Sequence, residues 1–203
     1  MRTNRRKLIA ASGLPSSYER LNYIENTSTA YIDAGVMLHE DLSFEGAFAI
    51  TDNTIVNSYE AVLDSNIENI NISCYSIGFL PSKELIAKAL NKLNFIEIKN
   101  FNISSRSKHY YELGKGFVVF DGLKYTIEWD DFTQNNVTIK YLLQGYNNSY
   151  LMCRLYENKI YQNGVLIRYF IPAKNMYNNK IGMYDFVGKK FYTSPNGVAF
   201  TGG

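Results

Sequence analysis

Lys159-Ile-Tyr-Gln-Asn-Gly-Val-Leu-Ile-Arg-Tyr-Phe-Ile-Pro172 is the stretch that decides the fold class. Ile160 and Tyr161 run into Gln162-Asn163-Gly164, and Asn-Gly between two apolar runs is the strongest short-range hairpin signal, because both residues tolerate the positive φ of a type I′ turn. The return strand, Val165 to Ile171, is expected to close at Pro172 or to lie on a sheet edge there, since proline offers no amide hydrogen to a ladder. The same reading continues to the C-terminus. Lys180 to Val187, Phe191 to Thr193 and Val198 to Phe200 are expected strands, separated by turns at Gly188-Lys189-Lys190 and Ser194-Pro195-Asn196-Gly197. Short strands at this regular spacing point to an all-β sandwich or barrel.

Working upstream, the pattern persists. Leu21 to Glu25 and Ala30 to Asp33 alternate apolar and polar residues around the polar turn Asn26-Thr-Ser-Thr29, which predicts a half-buried hairpin. Further strands are expected at Leu42 to Ile50, Ser58 to Asp64, Ile70 to Phe79, Phe95 to Ile98, Tyr110 to Leu113, Phe117 to Phe120, Lys124 to Trp129, Val137 to Leu143 and Tyr150 to Tyr156. Asp121-Gly122 supplies another hairpin turn. One segment breaks the series. From Ser82 to Asn94, Leu85, Ile86, Ala89, Leu90 and Leu93 fall on one helical stripe, with Ser82 as N-cap after Pro81 and Asn94 as stop, so a short amphipathic helix is predicted.

Composition agrees with β. The 203 residues make one domain by size, and 17 Tyr and 12 Phe against a single Trp suit pleated, half-buried surfaces. A net charge of +2 provides no body-wide field for nucleic acid or an anionic membrane. The positive charge is gathered in the first seven residues, with Arg2, Arg5, Arg6 and Lys7 and no carboxylate before Glu19. The apolar run that follows them, Leu8 to Ala11, is shorter than the roughly 7 to 15 residues of a signal-peptide core, so neither secretion nor membrane insertion is expected. Cys74 and Cys153 lie in β-like runs and read as buried thiols; their spacing does not argue for a disulfide.

Three phrases carry a resemblance: "LPSSYERLNYIENTSTAYIDAGV" from Leu14 to Val36, "IYQNGVLIRYFIPA" from Ile160 to Ala173, and "IGMYDFVGKKFYTSPNGVAFTG" from Ile181 to Gly202. Together they resemble the two ends of the concanavalin A-like (LamG-like) jelly-roll domains found in structural proteins of tailed bacteriophages and in surface proteins of gut bacteria. The resemblance implies an antiparallel jelly-roll sandwich over residues 14–203, with the two chain ends brought side by side. It also implies a non-enzymatic virion protein, of head-fibre, decoration or tail-associated type, made in the host cytoplasm. Analogy with phage fibres adds a homotrimer. A carbohydrate-binding surface module of a gut bacterium is the alternative.

Residues 1–13 read as a basic arm ahead of this domain. The expectation is an anchor onto other virion proteins, with Arg2, Arg5, Arg6 and Lys7 meeting acidic groups and Leu8 and Ile9 filling an apolar groove. A disordered tail is the plainer reading, and nucleic-acid binding the weaker one. For a cell-surface glycan the candidates are Trp129, Tyr146 and Tyr150, near the loop Gln144 to Asn148, because exposed aromatic faces stack on sugar rings. Tyr23, Tyr31 and Asp33 are further residues able to face sugars, though ladder and core roles suit them equally.

Catalysis is not expected. Glu128 and Asp130 share a strand face, as glycosidases of this architecture require, but the third carboxylate of a Glu-x-Asp-x-x-Glu motif is replaced by Phe132 or Thr133. His39 and His109 stand 70 residues apart without metal-ligand spacing, and no phosphate-binding glycine loop occurs, so no cofactor or metal is expected.

Overall fold

Asn163 and Gly164 both adopt positive φ, 50° and 71°, and so do Asp121 and Gly122, at 47° and 85°. Both dipeptides therefore make the two-residue turns their chemistry predicts. The computed structural model describes residues 13–26, 28–51, 60–64, 74–79, 84–91, 95–98, 106–129, 138–141 and 152–203. The arm residues 1–12 and both Tyr146 and Tyr150 lie outside these.

Every pairing among the described residues is antiparallel, and they contain no helix. The chain begins with β1 (Tyr18–Arg20), β2 (Ile24–Asn26), β3 (Ile32–Met37) and β4 (Leu42–Ile50). It continues through β5 (Glu60–Asp64), β6 (Cys74–Phe79), β7 (Leu85–Asn91) and β8 (Ile96–Glu97). Then come β9 (His109–Gly114), β10 (Phe117–Phe120), β11 (Leu123–Thr126) and β12 (Thr138–Tyr141). It closes with β13 (Cys153–Gln162), β14 (Val165–Asn175), β15 (Ile181–Asp185), β16 (Lys190–Tyr192) and β17 (Thr201–Gly202). The larger sheet runs β11-β10-β9-β4-β13-β14-β15-β16, with β2 beside β13, β17 beside β2 and β1 beside β14. The smaller runs β3-β12-β5-β6-β7-β8.

The sheets face each other across one aromatic core. Phe44 of β4 meets Tyr75 of β6 edge-on at 5.1 Å, Phe48 meets Phe79 at 6.4 Å, and Tyr141 of β12 meets Phe170 of β14 at 6.0 Å. Edge-to-face pairs of this kind stabilise by about 0.5–1.5 kcal/mol beyond the area they bury. All six rings are buried. The architecture is that of two stacked antiparallel sheets, compatible with a β-sandwich.

The structure corrects four expectations. The helix of residues 82–94 is instead strand β7 where it is described: Phe79 faces Leu85, Ile77 faces Ala87 and Tyr75 faces Ala89 on β6, while Ile86 and Ala87 pair with Glu97 and Ile96 on β8. Leu85, Ala87 and Ala89 point into the core at period two, and Ile86 is buried on the opposite face. A central strand covered on both sides carries consecutive apolar residues, and over so short a run that is indistinguishable from a helical stripe.

Pro172 neither ends β14 nor lies at an edge. The strand passes through it to Asn175, and Pro172 faces Met183 on one side. Its other side is where β14 leaves β13 and takes up β1, with Leu21 N–H donating to the Pro172 carbonyl at 3.0 Å, so no donor is required of the ring.

The expected 21–33 hairpin is a corner between sheets, since β2 pairs with β13 and β17 whereas β3 pairs with β12. The corner is tied by side chains. Asn26 accepts from Ser28 N–H, Ser194 Oγ from Tyr31 N–H, and Asn196 donates to the Thr29 carbonyl. Finally, residues 198–200 are not strand; β17 follows them and pairs Thr201 with Glu25 and Gly202 with Ile24. The chain end thereby lies beside the N-terminal strands, as expected, with the Gly203 carbonyl accepting from Asn22 and Tyr23 N–H.

Candidate binding groove on the larger sheet

Strand β4 alternates strictly. Leu42, Phe44, Phe48 and Ile50 enter the core, which leaves Glu45, Ala47 and Ala49 on the opposite face. On that outer face Ala47 and Ala49 are nevertheless buried, because taller side chains on both neighbouring strands close over them. On one side stand Arg106, Lys108, Tyr110 and Glu112, leading into and along β9; on the other stand Arg154, Glu157 and Lys159 of β13, with the Tyr156 ring beside Lys108. Small residues between two walls of long ones make a groove. From Glu45 to Thr51 the floor runs about 20 Å at roughly 3.4 Å per residue. Its wider part encloses about 400 Å³, and the end beside Thr51 about 220 Å³.

A β-bulge builds the second wall. Leu155 pairs with Phe48 and Asn158 with Gly46, so β13 carries one more residue than β4 over this interval. Leu155 and Asn158 are buried while Tyr156 and Glu157, consecutive in sequence, both reach the outer face. The bulge is held from inside: Tyr111 O–H donates to Asn158 Oδ1 at 2.6 Å, and Asn158 Nδ2 donates to the Tyr156 carbonyl at 2.8 Å. Gly46 leaves the space for this amide, since a Cβ there would collide with Asn158 Oδ1 and stand 2.7 Å from the Tyr111 hydroxyl.

The walls are charged and aromatic together. Lys108 Nζ lies 4.3 Å from the Tyr156 ring and 5.0 Å from that of Tyr110, which is 58% exposed. The Arg154 guanidinium stacks 4.2 Å above Tyr23, and its Nε donates to Glu25 at 2.8 Å, which holds the arginine more firmly protonated than usual. Burial pushes the Tyr156 phenol up, partly offset by Arg154. Lower in the groove Lys159 donates to Glu45 at 3.0 Å. Glu157 accepts from Tyr169 O–H at 2.7 Å and also pairs with Arg20. Glu112 stands directly across from Glu45, a like-charge cross-strand pair that Lys159 moderates from the other side. Such a surface can stack a ring on Tyr110, accept hydrogen bonds from hydroxyls at three carboxylates and donate from its cations.

The chain matches no family model, no curated protein and no solved structure.

Of the residues singled out from sequence, Trp129 is described. It is 51% exposed and lies against the β9–β10 turn, with Lys115 Nζ 4.0 Å above its ring and Gly116 packed beside it. Lys115 also donates to Glu40 at 2.6 Å, and this hydrogen bond holds the Glu40 carboxyl below its usual range. Trp129 is not among the residues that line the groove. Tyr23 is stacked under Arg154, Tyr31 lies 5.6 Å from Lys140 Nζ, and Asp33 accepts from Thr138 and from Gly35 N–H. β11 stops at Thr126, which leaves Glu128 beyond its end. Cys153 is fully buried, as expected. Sequence reasoning passed over Tyr110, Tyr156, Glu45, Glu112 and the alanine floor. The usable signal was the alternation Arg106-x-Lys108-x-Tyr110-x-Glu112 opposite Ala47-x-Ala49, which is visible only once β4 and β9 are known to be neighbours.

Proposed function

We propose that this protein is a non-enzymatic, lectin-like jelly roll that adheres to a cell-surface carbohydrate through the groove on its larger sheet. The observation that carries the reading is the pairing of a small-residue floor, Ala47 and Ala49, with walls that alternate aromatic rings and hydrogen-bonding charges. Pyranose rings need both a flat apolar face and a ring of polar partners, and this surface offers the two together. The jelly-roll assignment is supported by the chain's repeated crossing between sheets and by β4 and β13, neighbours separated by about a hundred residues in sequence.

The virion setting, the anchoring arm of residues 2–9 and a trimeric state rest on the resemblance of the terminal phrases to phage structural proteins. Trp129 is retained as a second aromatic contact for the same class of ligand, and Tyr146 and Tyr150 remain glycan candidates on sequence alone. The absence of catalysis is part of the proposal: Glu45 is committed to Lys159, and the sequence lacks the carboxylate series that glycosidases of this architecture use.

A glycan array probed with the full chain and with Tyr110→Ala tests this. Tyr110 is exposed, so its truncation leaves the core intact. Binding is expected to fall by about tenfold or more in the variant, in line with the loss of about 1–3 kcal/mol for an aromatic stacking anchor. Bound glycans should be recovered unhydrolysed. No hit on the array, or equal binding by the variant, overturns the groove reading; loss of binding in Trp129→Ala alone moves the site to the β9–β10 turn.

A further inference from the structure

The groove is electrically polarised along its length. At the Thr51 end two cations, Arg106 and Arg154, face a single carboxylate, Glu25, and Lys108 stands next along the wall, lining the wider recess. At the opposite end three carboxylates, Glu45, Glu112 and Glu157, face Lys159, with Arg20 engaging Glu157 from outside. Glu25 is already consumed, since it orients Arg154 through Nε, and Tyr23 supports the same guanidinium from below. Among the described residues Arg106 enters no ion pair. Two guanidinium groups therefore line one recess of about 220 Å³ with Thr51 beside them and one carboxylate between them.

Resting on the carbohydrate-binding reading above, we infer that the groove selects a glycan bearing a carboxylate, as in a uronic or sialic acid, and fixes its direction. The sugar carboxylate lies at the Thr51 end between Arg106 and Arg154, where planar guanidinium groups match its geometry. The ring that carries it, or the next one, stacks on Tyr110. Hydroxyls further along donate to Glu112, Glu45 and Glu157. The reverse orientation would set the sugar carboxylate against those three glutamates, so polarity alone determines which end of the chain enters where. A sulfated or phosphorylated polymer charged on every unit is excluded by the same acidic end.

The test is titration calorimetry of the full chain against sialyllactose and hyaluronan oligosaccharides, each paired with its carboxyl-reduced derivative. At least one acidic member is expected to bind, and its reduced partner about tenfold or more weaker, the scale of a charge-assisted hydrogen-bonded pair. Arg106→Ala should lose the same factor and flatten the dependence on salt, with the thermal midpoint unchanged because Arg106 is exposed. If carboxyl reduction leaves binding unchanged, if Arg106→Ala is silent, or if only neutral glycans bind on the array, the inference falls while carbohydrate binding survives. If no glycan of either kind binds, both fall together.

Discussion

Asn158 and Tyr111 show how much one buried polar contact controls. Tyr111 is fully buried and donates its hydroxyl to the amide that pins the bulge, and burial drives its phenol well above the ordinary value of 10.0. Burial raises Tyr141 in the same way, and raises Tyr75, with Asp41 and Glu40 adding to the effect. In each case the folded protein holds the proton more tightly than the unfolded chain does. Stability should therefore be complete below about pH 10 and fall above it, with a slope of about 1.4 kcal/mol per pH unit for each such phenol. Alkaline titration followed at once by phenolate absorbance and by circular dichroism should show these tyrosines ionising only as the sheets unfold. Ionisation of the full tyrosine complement with secondary structure intact would contradict the core assignment. Tyr111→Phe should reduce the slope by one phenol.

At the scale of elements the bulge of β13 matters most, because it alone lets Tyr156 and Glu157 share a face. Gly46→Ala places a methyl group where the Asn158 amide sits, so either the amide or the β4–β13 ladder must shift. A loss of about 2 kcal/mol in denaturant unfolding is expected, the cost of overpacking together with an orphaned hydroxyl, and glycan binding should weaken with it. An unchanged midpoint would show that the bulge is not held this way. This device was not legible in the sequence, where the expected strand ends at Tyr156 and the hairpin stretch begins at Lys159. The turns were legible, because Asn163-Gly164 and Asp121-Gly122 declare their own dihedral angles. β7 reads as helix for a physical reason: alanine and leucine favour helices locally, and only the ladders to β6 and β8 together with the burial of Leu85, Ala87 and Ala89 in the core override them. The β2–β3 corner was misread likewise, since apolar-polar alternation records that one face is buried but not which sheet it belongs to.

For the molecule as a whole, fold class was open to reading and the site was not. All-β character and the meeting of the chain ends follow from local signals and from the terminal phrases. The groove arises from strands β4, β9 and β13, drawn from widely separated parts of the chain, and no single one of them carries an aromatic-rich binding phrase. Trp129 attracted attention because it is the sole tryptophan, yet its ring is engaged by Lys115 and Gly116 away from the groove floor. The direct measurement of the central claim is methyl NMR of the chain labelled with [¹³C-methyl]alanine, titrated with the strongest array glycan. Ala47 and Ala49 form the floor, whereas Ala34, Ala87 and Ala89 lie in the core, so the two classes report different surfaces. The account predicts shifts confined to Ala47 and Ala49, abolished by Tyr110→Ala. Saturable binding that leaves both floor methyl groups unmoved would contradict it.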